Sequence, residues 1–241
     1  MPQNAKRGFM PTDGRDFSAK MLPTLRKAAG EVFFLLNRGY PMTPVTRFIG
    51  DHYQLSERQR LALARTVSPR KNIYDRKQKE LSDIRDKVIY IDGFNIIITL
   101  EIAFSKSMLF ECMDGTLRDL AGLHGTYRLI PETDLAIDAL RKGLEKLGAE
   151  KAVIYLDRPV SNSGRLKQRI CERFEGSQTE TEVLIEDAVD TILKSRPLVA
   201  TADAVILDEC EQWFDLVRFI IRDIDTGTEI INILPQKEDM P

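Results

Sequence analysis

The sequence is short of the residues that build redox and zinc sites. Three cysteines, Cys112, Cys171 and Cys210, stand 59 and 39 residues apart, and only two histidines accompany them in 241 residues. That spacing gives no C-x-x-C and no His/Cys cluster, so structural zinc and a disulfide framework are excluded, and the thiols read as ordinary reduced cysteines of a cytosolic protein. No Walker A sequence and no G-x-G-x-x-G occurs, which removes the usual signatures of nucleoside triphosphate hydrolysis and dinucleotide chemistry. Long apolar runs are also missing: the longest, Val88 to Phe104, is interrupted by Asp92, Asn95 and Glu101 and is too broken to span a bilayer. Lys6 and Arg7 have no apolar run behind them, so no secretory signal is expected. A soluble, cytoplasmic chain with no membrane partner is predicted.

What is present is ordinary in total and uneven in distribution. Hydrophobic residues make up 43% and charged residues 30%, enough apolar material for a real core and too much for a disordered chain. The net charge of −2 hides a split. Residues 1–80 hold 16 Lys and Arg against 7 Asp and Glu, a net +9, and residues 81–241 hold 19 against 30, a net −11. A basic module commonly meets polyanions, whereas an acidic one often collects metals.

In the basic part, Leu25, Ala28, Ala29, Val32, Phe33 and Leu36 recur at helical steps, with Gly39 placed as a C-terminal cap. Thr43 before Pro44 predicts the N-cap of a second helix, and the pair Ser56 and Gln59 predicts a capping box for a third. The last two helices resemble a helix-turn-helix, leaving Arg47, Arg58, Arg60, Arg65, Arg70 and Lys71 available for phosphates; a plain basic bundle with solvated faces explains the same pattern. This module is expected over residues 15–71. Residues 72–87 read as an exposed charged helical linker.

From residue 88 the texture is β-α alternation. Val88–Ile91, Ala152–Leu156, Glu182–Ile185 and Leu198–Thr201 read as strands, separated by helices over Glu132–Leu147, Asn162–Phe174 and Asp187–Lys194, which predicts a mostly parallel sheet in an α/β domain over 88–235. In such sheets ligands bind beyond the carboxyl ends of the strands. Asp92, Asp157 and Asp203 fall there, with Asp187 or Asp190 at a helix start. A single strand-end Asp is commonly a turn former or helix cap. Four brought together repel one another unless a cation sits among them, and hard oxygen donors suit Mg²⁺ or Mn²⁺. A metal-bound water attacking a phosphodiester is the reaction such a site supports.

Ile91-Asp92-Gly93-Phe94-Asn95-Ile96-Ile97 resembles the D-G-[YF]-N opening of PIN and NYN nuclease-like domains. Asp157 is similar to their second-strand Asp, and Thr201-Ala202-Asp203 resembles their T-x-D. With its basic helical front, the whole chain resembles an uncharacterised prokaryotic domain-of-unknown-function family. The PIN/NYN resemblance implies a three-layer α/β fold preceded by a small all-helical domain, and a metal-dependent ribonuclease site. Asp92, Asp157, Asp190 and Asp203 form its expected catalytic and metal-binding set, with Asp187 the alternative to Asp190. Asn95 and Ser163 are expected on the substrate side, RNA is the favoured partner, and self-association is left open.

Three further features need weighing. Ser161-Asn162-Ser163-Gly164 before Arg165 reads first as a helix start with Ser161 or Asn162 as cap, and compatibly as a phosphate site, because a helix N-terminus at a strand end favours anions. Cys112-Met113-Asp114-Gly115-Thr116-Leu117, inside an insertion from Phe104 to Ile130, resembles the D-x-D-G-T loop of haloacid-dehalogenase-type phosphatases. Cys112 stands there in place of the nucleophilic Asp, which removes the covalent step and favours a turn at Asp114-Gly115. His124 is given a hydrogen-bonding role, with substrate contact as the alternative.

Overall fold

A computed structural model describes residues 6–122, 126–224 and 226–236. The chain forms two compact units. The first takes residues 1–77, 107–121 and 229–241, and the second residues 78–106 and 122–228.

The first unit is built on helices α1 (Asp13–Asp16), α2 (Leu22–Leu36), α3 (Met42–His52), α4 (Glu57–Thr66) and most of α5 (Arg70–Lys79). The expected apolar stripe of α2 is buried, with Leu25, Ala28, Ala29, Val32 and Leu36 in one core with Val45, Ile49 and Leu63. Ser56 caps α4 by accepting from the Gln59 backbone N–H while Gln59 accepts from the Ser56 N–H, the predicted capping box. Helix α3 begins earlier than expected: Pro41, extended at ψ 149°, is its N-cap, and Thr43 and Pro44 lie in the first turn, where a missing N–H costs nothing.

The insertion also differs from expectation. Leu109–Glu111 (β2) and Leu117–Arg118 (β3) form an antiparallel pair, and Ile230–Ile231 (β7) adds to β2 in parallel. These strands belong to the helical unit, where Phe110, Leu120, Ile231 and Ile233 complete the core. The chain leaves the α/β sheet and returns, because a helix set this small needs further apolar side chains to close its core.

The second unit is an α/β fold. Strands β1 (Val88–Asp92), β4 (Lys151–Asp157), β5 (Glu180–Glu186) and β6 (Val199–Ala200) form a parallel sheet in the order β5-β4-β1-β6. Between them run α6 (Gly93–Phe104), α7 (Pro131–Leu147), α8 (Ser163–Phe174) and α9 (Val189–Lys194), followed by α10 (Ala204–Glu209) and α11 (Leu216–Asp223). Alternation decides the faces: Val153 and Tyr155 of β4 share a core with α9, α10 and Trp213, while Ile154 and Leu156 lie against the start of α6. Helix α7 ends on Gly148 at φ +67°, a conformation that favours glycine.

Trp213 is fully buried and lies outside the helices. Helix α10 stops at Glu209, and Trp213 forms parallel bridges to Glu80 and Val199, extending the sheet beside β6. No helix among the described residues is long and apolar enough to cross a membrane.

Candidate functional site

The sheet order places the site. From β1 the chain moves outward to β4 and β5, then returns to β6 on the other side of β1, so the direction of crossover reverses between β1 and β6. A crevice at such a switch point is where open α/β sheets bind ligands. Asp92 ends β1, and Thr201, Ala202 and Asp203 follow β6.

The two motifs are laced together. Asp92 caps α6, its Oδ1 accepting from the Asn95 N–H at 3.3 Å, and its Oδ2 accepts from the Thr201 hydroxyl at 2.9 Å. Thr201 Oγ1 in turn accepts from the Asp203 N–H at 3.0 Å, and Asn95 Oδ1 accepts from the Ala202 N–H at 2.8 Å. Asp203 caps α10 through Oδ1, which takes the N–H groups of Val205 and Ile206. Gly93 is required by close approach: a Cβ there would stand 2.7 Å from the Tyr155 carbonyl oxygen and 2.7 Å from Leu156 Cδ2. Gly93→Ala is therefore expected to cost about 1–3 kcal/mol through displacement of β4 from α6, read as a lower denaturation midpoint; an unchanged midpoint would refute the close approach.

The carboxylates act on one another through space. Burial pushes the Asp92 carboxyl up to about 7, against hydrogen bonds from Thr201 and Asn95 that lower it and with help from the charges of Asp203 and Asp157. Asp157, the last residue of β4, is raised by burial and then by Asp190; Asp190, in the first turn of α9, is raised by burial and then by Asp203. Asp190, although exposed, is acted on by the charge of Asp203, whereas Asp187, also exposed, pairs with Arg158 at 3.0 Å. Among the described residues, no group of three or more His, Cys, Asp or Glu side chains is placed to hold a metal ion. The set matches a hard divalent cation in donor chemistry but not in spacing.

Other expected site residues are engaged elsewhere. Ser161 Oγ accepts from the Tyr127 N–H at 3.0 Å, and Asn162 donates to the Tyr127 carbonyl at 2.6 Å from a left-handed backbone, φ 62°. These two residues clamp Tyr127, whose hydroxyl reaches buried Glu101 at 2.6 Å. Asn162 is the N-cap of α8 by position, as expected, but makes no side-chain cap bond, and Ser163 is buried at the start of the helix. Arg165 is exposed on the first turn of α8. His124 lies outside the described residues. Sequence reasoning missed Glu101 and Tyr127, although a lone carboxylate inside an apolar helix signals a buried partner.

The arginines expected to meet phosphates divide. Arg58 is consumed internally, with Nε 2.8 Å from Asp13 and its other nitrogens on the carbonyls of Leu120 and Gly8. Arg60 bonds the carbonyls of Leu55 and Arg47 and the carboxylate of Asp51. The segment read as an exposed linker also holds buried Arg76, which bonds Asp114 at 2.6 Å and Ser68 at 3.2 Å. That contact disposes of the phosphatase-like reading, because Asp114 is locked in a structural ion triad, and burial pushes the Cys112 thiol up to about 11.

A family of domains of unknown function, DUF5616, matches residues 81–219, more than half of the chain. The chain belongs to the DUF5616 family. A second family of unknown function, DUF434, matches residues 24–79, so the junction of the two matches falls within four residues of the Lys77/Gln78 division between the units. The DUF5616 match nevertheless includes residues 107–121, which the structure assigns to the helical unit. The uncharacterized protein MJ0935 of Methanocaldococcus jannaschii is 38% identical over 216 residues, 89% of this chain and 100% of that protein. No solved structure matches.

Proposed function

We propose that this DUF5616 protein is a divalent-metal-dependent nuclease of PIN/NYN type acting on RNA. The observation that carries the proposal is the placement of Asp92, Asp157, Asp190 and Asp203 at or just beyond the carboxyl ends of β1, β4, β5 and β6, around the point where the crossover reverses, with Asp92, Asp157 and Asp190 each raised by burial and by a neighbouring carboxylate. Asp92 and Asp203 are the principal holders of Mg²⁺ or Mn²⁺, with Asp190 and Asp157 supplying further negative charge. Such an ion, held by these carboxylates, would supply the Lewis-acid chemistry that phosphodiester hydrolysis needs. Thr201 orients Asp92 and the Asp203 backbone at once, and Asn95 fixes the β6 end against α6. Both are positioning residues in this scheme. RNA is favoured because the basic helical unit offers cations to a polyanion and the D-G-[YF]-N resemblance points to ribonucleases.

A non-catalytic nucleic-acid-binding protein is the second reading, favoured by the spacing of the carboxylates and by the structural duties of Ser161, Asn162 and Asn95. Purified protein with Mn²⁺ and a mixed-sequence RNA separates the two readings. Cleavage that is abolished by EDTA and reduced at least about tenfold in Asp92→Asn is expected. Equal cleavage by both proteins, or none by either, overturns the nuclease reading.

A further inference from the structure

The exposed side of the helical unit has a second arrangement suited to nucleic acid, away from Arg58 and Arg60, which the fold consumes. Arg38, just beyond α2, lies with its guanidinium carbon 4.5 Å from the centre of the Phe34 ring. Arg70, at the start of α5, lies 5.8 Å from the centre of the Phe33 ring. The Arg70 N–H donates to Asn37 Oδ1 at 2.9 Å, which brings the start of α5 to the end of α2. Neither guanidinium pairs with a carboxylate among the described residues. Tyr40, which follows Arg38, and Tyr74, one turn beyond Arg70, are 58% and 64% exposed.

We propose that this α2–α5 face of the helical unit binds single-stranded nucleic acid, with Arg38 and Arg70 taking phosphates and Tyr40 and Tyr74 stacking on bases. A guanidinium stacked on a phenyl ring keeps its N–H edges for an anion and has lost part of its rotamer freedom before binding. Exposed phenol rings offer a π-face to any unpaired base, while a duplex hides its base faces in the stack. Charge complementarity selects the polyanion. Helix α5 carries Arg70, Lys71, Arg76, Lys77 and Lys79 against a single Asp75, and only Arg76 is buried. Ile73 and Tyr74 are the helix's only large apolar side chains, too few for insertion into a bilayer. The inference concerns the helical unit alone and does not rest on the carboxylate site.

Fluorescence anisotropy of the full chain in EDTA, with a labelled oligouridine RNA of about 12 nucleotides, tests it without any contribution from a metal. Tyr40→Ala and Tyr74→Ala are each expected to weaken binding about fivefold or more, with Tyr→Phe restoring it. Arg38→Ala with Arg70→Ala is expected to lower the salt slope by about 1.5. Unchanged thermal unfolding shows that the variants remain folded. The proposal is overturned if the Tyr→Ala variants bind like the wild type, or if a duplex, a phosphopeptide or anionic vesicles compete as well as the oligonucleotide. Because no cleavage is read, loss of the nuclease reading leaves this result standing, and loss of this binding leaves Mn²⁺-dependent cleavage to be judged separately.

Discussion

Asp114→Ala should lower the stability of the protein by about 3–5 kcal/mol, the usual cost of removing one partner from a buried ion pair. Asp114 lies between two buried guanidiniums: its Oδ2 takes Arg76 at 2.6 Å and Arg118 at 2.5 Å, while Oδ1 takes the Thr116 hydroxyl at 2.7 Å. The side chains of all three charged residues are less than a tenth exposed. Removing Asp114 takes a charged partner from both buried guanidiniums at once, whereas either arginine variant leaves the other pair intact, so the larger loss is expected for Asp114→Ala. Chemical denaturation of the three single variants gives the order. Replacing all three with apolar side chains of similar volume should recover much of the loss, since a packed apolar trio avoids the desolvation cost. A midpoint for Asp114→Ala equal to that of the wild type would show that the triad contributes nothing.

The pH dependence of that pair has a definite sign. Burial would raise the Asp114 carboxyl, but the charges of Arg118 and Arg76 and the bond from Thr116 outweigh it and hold the group below the ordinary carboxylate range. A carboxyl lowered in the folded state stabilises above its unfolded pKa and loses that contribution as pH falls through its folded pKa. Wild-type protein therefore loses this contribution under acid, whereas Asp114→Ala has none to lose.

Asp92→Asn should act in the opposite direction and stabilise the metal-free protein at pH 8. The carboxyl ordinarily titrates at 3.8 and stands at about 7 in the folded chain. A group raised in this way leaves stability intact below its unfolded pKa, erodes it as pH climbs between the two values, and imposes the full cost above the higher one. That cost is on the order of 4 kcal/mol. Asparagine removes the charge and keeps one acceptor oxygen for the Asn95 N–H, while its NH₂ can donate to Thr201 Oγ1 in place of the bond that the hydroxyl gave to Oδ2. In EDTA the variant should melt above the wild type at pH 8, with the gap narrowing toward pH 5. Mn²⁺ should raise the wild-type Tm at pH 8 and leave the variant unmoved. The same Tm difference at both pH values would refute the buried-charge account.

Much of the fold was legible because its signals are local. The β-branched runs at Val88–Ile91 and Ala152–Leu156, the capping box at Ser56 and Gln59, and the glycine after Leu147 each act within a few residues of their own position. Carboxylates at strand ends were also legible, since Asp92 and Asp157 each end a strand and Asp203 stands just beyond β6. The burial of Trp213 agreed with its apolar surroundings, but its extended bridges did not, because pairing with Glu80 and Val199 reaches across more sequence than periodicity reports.

By itself, then, the sequence determined the two-part character of the chain, a basic helical segment before an acidic α/β one, and the parallel strands with their terminal carboxylates. Hydrophobic period, capping and charge are written in adjacent residues. Tertiary structure alone decided which charges remain available. It sent residues 107–121 and the last strand into the helical unit, turned Arg58, Arg60 and Arg76 inward, spent Ser161 and Asn162 on Tyr127, and coupled Asp190 rather than Asp187 to the other carboxylates. Those outcomes depend on partners from 9 residues away, Arg60 with Asp51, to 62 away, Arg58 with Leu120, and farther still for the last strand, and a buried charge must find its partner wherever the fold has placed it.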